Sequence, residues 1–323
     1  MATQLRQEQF EADPAFRADV LSGLARSQKA IPARWFYDDR GSQLFDDITR
    51  LPEYYPTRAE TEILAAYGQD LGRAIGPGRA VVEFGAGSAT KTPLLLRCIT
   101  PSAYVPIDIS GDFLRAACQP LAAQFPDLAI LPIEADFTRP LTLPTGIGSA
   151  ALLGFFPGST IGNFTPHAAT DLLRAMRDTL GDSALLVIGF DRIKDPATLI
   201  AAYDDSAGVT AAFNLNLAAR INRELDGTMP LDGLRHRARW NEGRARIEMH
   251  LEASRDLAFS VCGRRFAMQR GETIHTENSH KYDPRSAATL LLGGGWAELA
   301  TYADAGEQFM VMLARALPVE AAP

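Results

Sequence analysis

The run Val81-Val82-Glu83-Phe84-Gly85-Ala86-Gly87-Ser88-Ala89-Thr90-Lys91-Thr92 joins an apolar stretch to a glycine turn. That combination lets a backbone come within contact distance of a nucleotide-like ligand. Gly85 and Gly87 have no Cβ, so each takes positive φ without strain and lets a ligand sit close to main-chain N–H groups. The next apolar run, Tyr104-Val105-Pro106-Ile107-Asp108, ends in a carboxylate about 20 residues after the turn, where a Rossmann-like site holds ribose hydroxyls. A third run, Leu128 to Ile133, leads into Ala135-Asp136-Phe137, a carboxylate beside an aromatic, suited to an adenine ring. Three strand ends thus converge on one adenosine-shaped site.

Only a parallel sheet brings such ends to one edge, and the alternation of patterns predicts one. Strands are expected at 80–84, 104–108, 128–136, 150–156 and 184–191, with helices at 91–98, 112–124 and 166–180 between them. After Asp191 the rhythm stops. Asp195-Pro196 reads as a cap and first-turn proline opening a helix to Tyr203, and a second helix is expected at about 209–225. Hairpin-like strands then follow through Tyr282 as an inserted lobe. Asp283-Pro284 caps a helix to Leu292, and strands at 296–303 and 308–316 close the chain. Asp304-Ala305-Gly306-Glu307 joins these two, and so brief a connection permits only an antiparallel pair. The expected fold is therefore α/β: a seven-stranded Rossmann-like methyltransferase sheet with an antiparallel terminal strand, plus an inserted α+β substrate-binding lobe. The cofactor expected with that arrangement is S-adenosylmethionine. A nicotinamide oxidoreductase is disfavoured, because G-x-G-x-x-G needs Gly or Ala at position 90 and this chain has Thr90, whereas Glu83-Phe84-Gly85-Ala86-Gly87 fits E-x-G-x-G.

The chain has 323 residues, long for one compact core, and its net charge of −7 argues against a nucleic-acid surface. The local basic run Arg235-His236-Arg237-Ala238-Arg239-Trp240, with Arg244 and Arg246, alternates as the solvated outer face of a hairpin does. Three scattered cysteines, Cys98, Cys118 and Cys262, indicate neither disulfides nor a zinc site. No metal is expected, since His275 and His280 lack supporting ligand spacing. With no apolar segment long enough to span a bilayer, the expectation is a cytoplasmic, unanchored protein without an obligate protein partner.

Several segments resemble one family, the histidine Nα-methyltransferases of ergothioneine biosynthesis. They are Trp35-Phe36-Tyr37-Asp38, Gly41-Ser42-Gln43-Leu44-Phe45, Leu51-Pro52-Glu53-Tyr54-Tyr55-Pro56-Thr57-Arg58, Phe156-Pro157-Gly158-Ser159-Thr160-Ile161-Gly162-Asn163-Phe164, Ala202-Tyr203-Asp204-Asp205 and Thr276-Glu277-Asn278-Ser279. The resemblance implies a two-lobe enzyme that moves three methyl groups from S-adenosylmethionine to the α-amine of L-histidine, giving hercynine. Residues 58–195 and 285–323 would form the cofactor domain, and 8–57 with 196–284 the substrate domain. It also implies Tyr37, Gly85, Gly87, Lys91, Asp108, Asp136 and Phe137 as cofactor contacts, and Tyr54, Asn163, Tyr203, Met249, Glu277 and Ser279 as substrate contacts, with Tyr54 catalytic. The chain departs from the family pattern at His250, where an aromatic is familiar, and at Asn278 and His280, where smaller or apolar residues are.

The residue types suit those roles. Methyl transfer needs a neutral amine in line with the sulfonium methyl, and an amine of pKa about 8 is neutralised at pH 7 for only about 1 kcal/mol. Tyr54 can accept or relay the proton, and tyrosine faces tolerate the cationic product. Thr165 and Pro166 already fill the cap and first-turn positions of the next helix, which leaves Asn163 free for a substrate carboxylate, with Tyr203 as a second donor. Glu277 and Ser279, two apart in an extended segment, share a face and can take the two nitrogens of an imidazole. Met249 reads chiefly as core, with a wall against the ring as its second role. The alternatives are an N-methyltransferase of the same family acting on another amino acid or aromatic amine, and a non-catalytic S-adenosylmethionine-binding regulator.

Overall fold

A computed structural model describes residues 13–139 and 141–318. Its larger sheet runs, edge to edge, through strands Trp296–Ala303, Phe309–Ala316, Leu185–Asp191, Leu152–Phe156, Ala80–Phe84 and Ala103–Asp108 to two short pieces, Ala129–Ile130 and Ile133–Glu134. The expected strand 128–136 is broken because Pro132 offers no N–H to the ladder. Both pieces pair with Ala103–Asp108, so the sheet keeps seven strand positions although it counts eight strands. Phe309–Ala316 lies between Leu185–Asp191 and Trp296–Ala303 and is antiparallel to each, as the four-residue turn demanded.

The inner strands are buried on both faces, which is why they read as unbroken apolar runs. Val82 and Phe84 pack toward helices Pro166–Leu180 and Pro284–Gly293. Val81 points the other way, toward helices Tyr55–Ile75 and Thr92–Ile99. The sequence order reverses at Ala80–Phe84, which has Ala103–Asp108 on one side and Leu152–Phe156 on the other. The crevice at the carboxyl ends of such a switch point is where open α/β sheets bind ligands.

A smaller sheet, ordered Lys29–Ala30, Thr273–His280, Arg246–Ala253 and Leu234–Asn241, carries the second lobe, with the hairpin Leu257–Val261 and Arg264–Met268 beside it. Its core is a separate cluster that includes Phe16, Trp35, Phe36, Phe213 and Leu217. Arg235, Arg237 and Arg239 lie exposed on the outer face of Leu234–Asn241, and Arg237 and Arg239 pair with Glu252. Arg246 departs from that pattern and is buried on Glu248. A bulge in Thr273–His280 decides which side chains face inward: His275 pairs with His250, yet Glu277 pairs with Met249, the adjacent residue. One extra residue reverses the alternation, so Glu277 and His275 face opposite sides although they are two apart.

The lobes meet where the turn Thr160–Asn163 packs on Thr273–His280. A Cβ at Gly162 would lie 2.7 Å from the carbonyl oxygen of His280, while His280 Nδ1 sits 2.9 Å from the Gly162 carbonyl oxygen. Neither backbone can yield cheaply. Gly162→Ala is expected to lower unfolding stability by about 1–3 kcal/mol, the usual range for overpacking. Urea denaturation measures it, and an unchanged midpoint would show that the lobes part without strain.

Candidate active site

One cavity of about 950 Å³ runs between the lobes from the glycine turn to the inner face of the smaller sheet. At the end under the larger sheet, Gly85 and Gly87 take φ of +70° and +51°, and open space lies where a Cβ on Gly87 would be. Their amides, however, are already engaged. Gly85 and Ala86 donate to the Ile107 carbonyl and Gly87 donates to Asp108 Oδ2, so the glycines provide room and not free donors. Asp108 also takes the Ser110 N–H at 2.9 Å, which holds the carboxylate against the turn. Asp136 is fixed by its own loop through Thr138. Phe137 stands beside Gly85 and packs edge-on to Phe156 at 5.7 Å. Lys91 reaches the cavity wall and pairs with Glu60, which is wholly buried and also accepts the Gly158 N–H at 2.8 Å.

At the other end stand Tyr37, Tyr54, Asn163, Tyr203, Glu277 and Ser279. Thr165 caps Pro166–Leu180 through the Ala168 N–H. Asn163, in the turn before it, has no side-chain hydrogen bond among the described residues. Glu277 is equally unpartnered though only 9% exposed. Tyr54 makes edge contacts with Phe45 and Tyr203, at ring distances of 6.4 and 6.2 Å. Met249 does not line the cavity. It stands beside Glu277 on the next strand, in the lobe core and 1% exposed, so its place as a substrate contact is not supported by the geometry.

A family model described as a histidine-specific, S-adenosylmethionine-dependent methyltransferase matches residues 16–316. The chain belongs to that family. It is 38% identical over 309 residues to the histidine N-alpha-methyltransferase of Mycolicibacterium smegmatis, across 94% of this chain and 95% of that one. It is 27% identical over 300 residues to ergothioneine biosynthesis protein 1 of Neurospora crassa, spanning 89% of this chain and 33% of the relative. The fold resembles that of an S-adenosylmethionine-dependent methyltransferase from Clostridium acetobutylicum, with TM-score 0.50 and 10% identity over 85% of this chain and 99% of that one.

Behind the end of the methyltransferase's cavity lined by Tyr203 and Ser279 lies a buried network that the sequence reading missed. Lys281, with no side-chain exposure, donates to Asp191 Oδ2 at 2.6 Å, Ser279 Oγ at 2.8 Å and the Tyr203 hydroxyl at 3.1 Å. Tyr203 and Ser279 are themselves 2.7 Å apart. Asp191 also accepts from Tyr55 at 2.8 Å and Lys194 at 2.5 Å. Two signals were present. Asp191 ends an apolar strand as Asp108 does, and Lys281 continues the Glu277, Ser279 alternation by one more step. Glu60 had a fainter one, an acid within the apolar stripe Ala59, Ile63, Leu64 of its helix.

Burial governs the charges here. It raises the Asp191 carboxyl, but Lys281 and Lys194 more than offset this and hold it below its usual range. Burial also keeps the Tyr54 and Tyr203 phenols well above theirs, and that of Tyr37 with help from nearby Glu277, so all three stay protonated. Glu83, taking hydrogen bonds from Tyr104 and Thr92, is raised to about 7 by the same burial. Glu277 is raised to about 7 by burial against the opposing pull of Lys281. Its folded pKa exceeds its unfolded one, so its contribution to stability is present below about 4.5 and lost as pH rises through about 7. Glu277→Gln is therefore expected to raise the melting temperature of the unliganded enzyme at pH 8 and scarcely at pH 4.5. The gain should not exceed about 3 kcal/mol. Calorimetry showing the same difference at both pH values would mean Glu277 is not destabilised by burial.

Proposed function

We propose that this enzyme transfers methyl groups, three in succession, from S-adenosylmethionine to the α-amino nitrogen of L-histidine, giving hercynine for ergothioneine biosynthesis in the cytoplasm. The observation that carries this reading is the placing of unpartnered Glu277 and Asn163 in one cavity with the glycine turn. The segments 58–195 and 285–323 hold the cofactor, and 8–57 with 196–284 hold the amino acid, residues 8–12, 140 and 319–323 lying outside the described ones. For localisation, the support is three free cysteines and the lack, among the described residues, of a helix long and apolar enough to cross a membrane.

In this reading Asp108 takes the ribose hydroxyls, Asp136 and Phe137 the adenine, and Tyr37, Lys91, Gly85 and Gly87 border the rest of the cofactor. The open space at Gly87 and the spare lone pairs of Asp108 suit it. When bound, S-adenosylmethionine supplies an electrophilic methyl on sulfur. The residues supply position. Asn163 holds the carboxylate, Tyr203 passes its hydroxyl proton to Ser279, and the protonated faces of Tyr37 and Tyr54 tolerate an ammonium that gains methyl groups. Tyr54 is the proton relay, since each of the first two transfers must be followed by loss of a proton from nitrogen.

The hydrogen-bond count of the buried network sets how the ring is read. Lys281 spends its three protons on Asp191, Ser279 and Tyr203, so both hydroxyls act as acceptors toward it. One hydroxyl proton is used between Ser279 and Tyr203. The pair therefore has one donor left for a ligand. Glu277, as carboxylate, accepts. A ring with one N–H and one bare nitrogen satisfies a neighbouring acceptor and donor; an indole, with a single N–H, does not.

Incubation with histidine and cofactor, followed by mass spectrometry, is expected to show mono-, di- and trimethylated histidine in turn, with methylation on the α-nitrogen. No methylated histidine, beside a methylated product from another amino acid, would favour the other-substrate reading. Glu277→Ala is expected to lower histidine kcat/KM by about 100-fold or more, the usual loss when a buried donor is left unpaired at a recognition site. Unchanged kcat/KM would remove Glu277 from ring recognition. Lys281→Met is expected to raise histidine KM by about tenfold with cofactor Kd unaltered. Equal loss of both affinities would mean that Lys281 only supports the fold.

A further inference from the structure

Glu248, His250 and His275 present one ligand atom each, all within 4.8 Å of one another. They share the face of the smaller sheet opposite Met249: Glu248 and His250 are two apart on one strand, and His275 is the cross-strand partner of His250. Asn278, the cross-strand partner of Glu248, lies on the same face. The bulge before Glu277 creates this grouping by turning His275 away from the histidine-binding wall.

We propose that this cluster is a binding site for a divalent transition-metal ion of borderline softness, such as zinc, at the rim of the active-site cavity. Glu248 Oε1 is anchored by Asn241 and Arg246 at 2.9 and 2.5 Å, which orients the carboxylate and leaves Oε2 toward His250. His250 Nε2 is 3.3 Å from that oxygen, longer than a good hydrogen bond. About 3.3 Å is the separation of two ligands held tetrahedrally by bonds of about 2.0–2.1 Å. His275 Nε2 lies 2.9 Å from the Glu277 carbonyl oxygen, a partner that fixes the ring and leaves Nδ1 as the ligand atom, as in many metal-bound histidines. One polar atom beside the cluster, Asn278 Oδ1, is buried without a partner, and the His250 side chain is only 7% exposed. Such an orphan marks a place built for something further. Arg246, paired with Glu248, opposes a cation and weakens the site.

The site goes beyond the methylation reading and stands independently of it. Its test uses untagged full-length enzyme without histidine or S-adenosylmethionine, both of which chelate metals. Zinc titrated in competition with a chromophoric chelator is expected to show one ion per chain, and cobalt substitution a visible spectrum without the thiolate charge-transfer band. His250→Phe, Glu248→Gln and His275→Gln should each weaken zinc by at least about tenfold. His167→Ala, which removes an exposed histidine beside Asp171, should not. His250→Phe should leave histidine methylation intact, which separates failure of this site from failure of the functional reading. Failure of the wild-type enzyme to compete, full binding by His250→Phe, or loss of binding in His167→Ala would each overturn the proposal.

Discussion

The Lys281–Asp191 ion pair, buried where the last residues of two sheets meet, is the interaction on which the cavity depends. Asp191 ends the strand Leu185–Asp191 of the larger sheet, and Lys281 follows Thr273–His280 of the smaller one. Both side chains are almost inaccessible, at 1% and 0%. Burying two charges is expensive, and such a pair seldom adds net stability over an apolar alternative. What it supplies is uniqueness, because Lys281 without Asp191 would be an unpaired charge in that interior, at a cost of about 3–5 kcal/mol. The lobes are thus held in one relation, and Gly162 lets the backbones approach closely enough for it.

From that joint the polar character of the cavity end lined by Tyr203, Glu277 and Ser279 follows. Lys281 orders Ser279 and Tyr203 from behind, so the hydroxyls arrive at the cavity with their directions already assigned. Lys91 and Glu60 do the same beside the glycine turn, fixing the loop at Gly158. The charges are kept in the walls and the phenols stay neutral. Little reorganisation is left for the reaction itself, which suits a transfer whose acceleration comes mainly from alignment.

Much of this was legible before the coordinates. The parallel sheet, its antiparallel closing strand, the glycine turn, and the capped helices at Asp195, Thr165 and Asp283 were read from local pattern. The broken strand at Pro132 and the extra hairpin strand Arg264–Met268 were not. Met249 shows the limit at the site, since its apolar strand face was read correctly while its distance from the cavity was not. The turn amides show another: the glycines were expected to offer N–H groups, and Ile107 and Asp108 had already taken them.

The sequence by itself determined the family, the order of elements and which strand ends carry carboxylates. Those features are written in neighbours a few residues apart, through alternation, caps and turns. Only the tertiary structure decided that Glu60 meets Lys91, that Asp191 meets Lys281, and that His275 turns to His250 while Glu277 turns to the cavity. A buried charge finds its partner across 31 residues of chain in one case and 90 in the other, and a bulge reverses the facing of everything beyond it. Neither is a property of any short segment, because each exists only once two distant pieces of backbone have been brought into register.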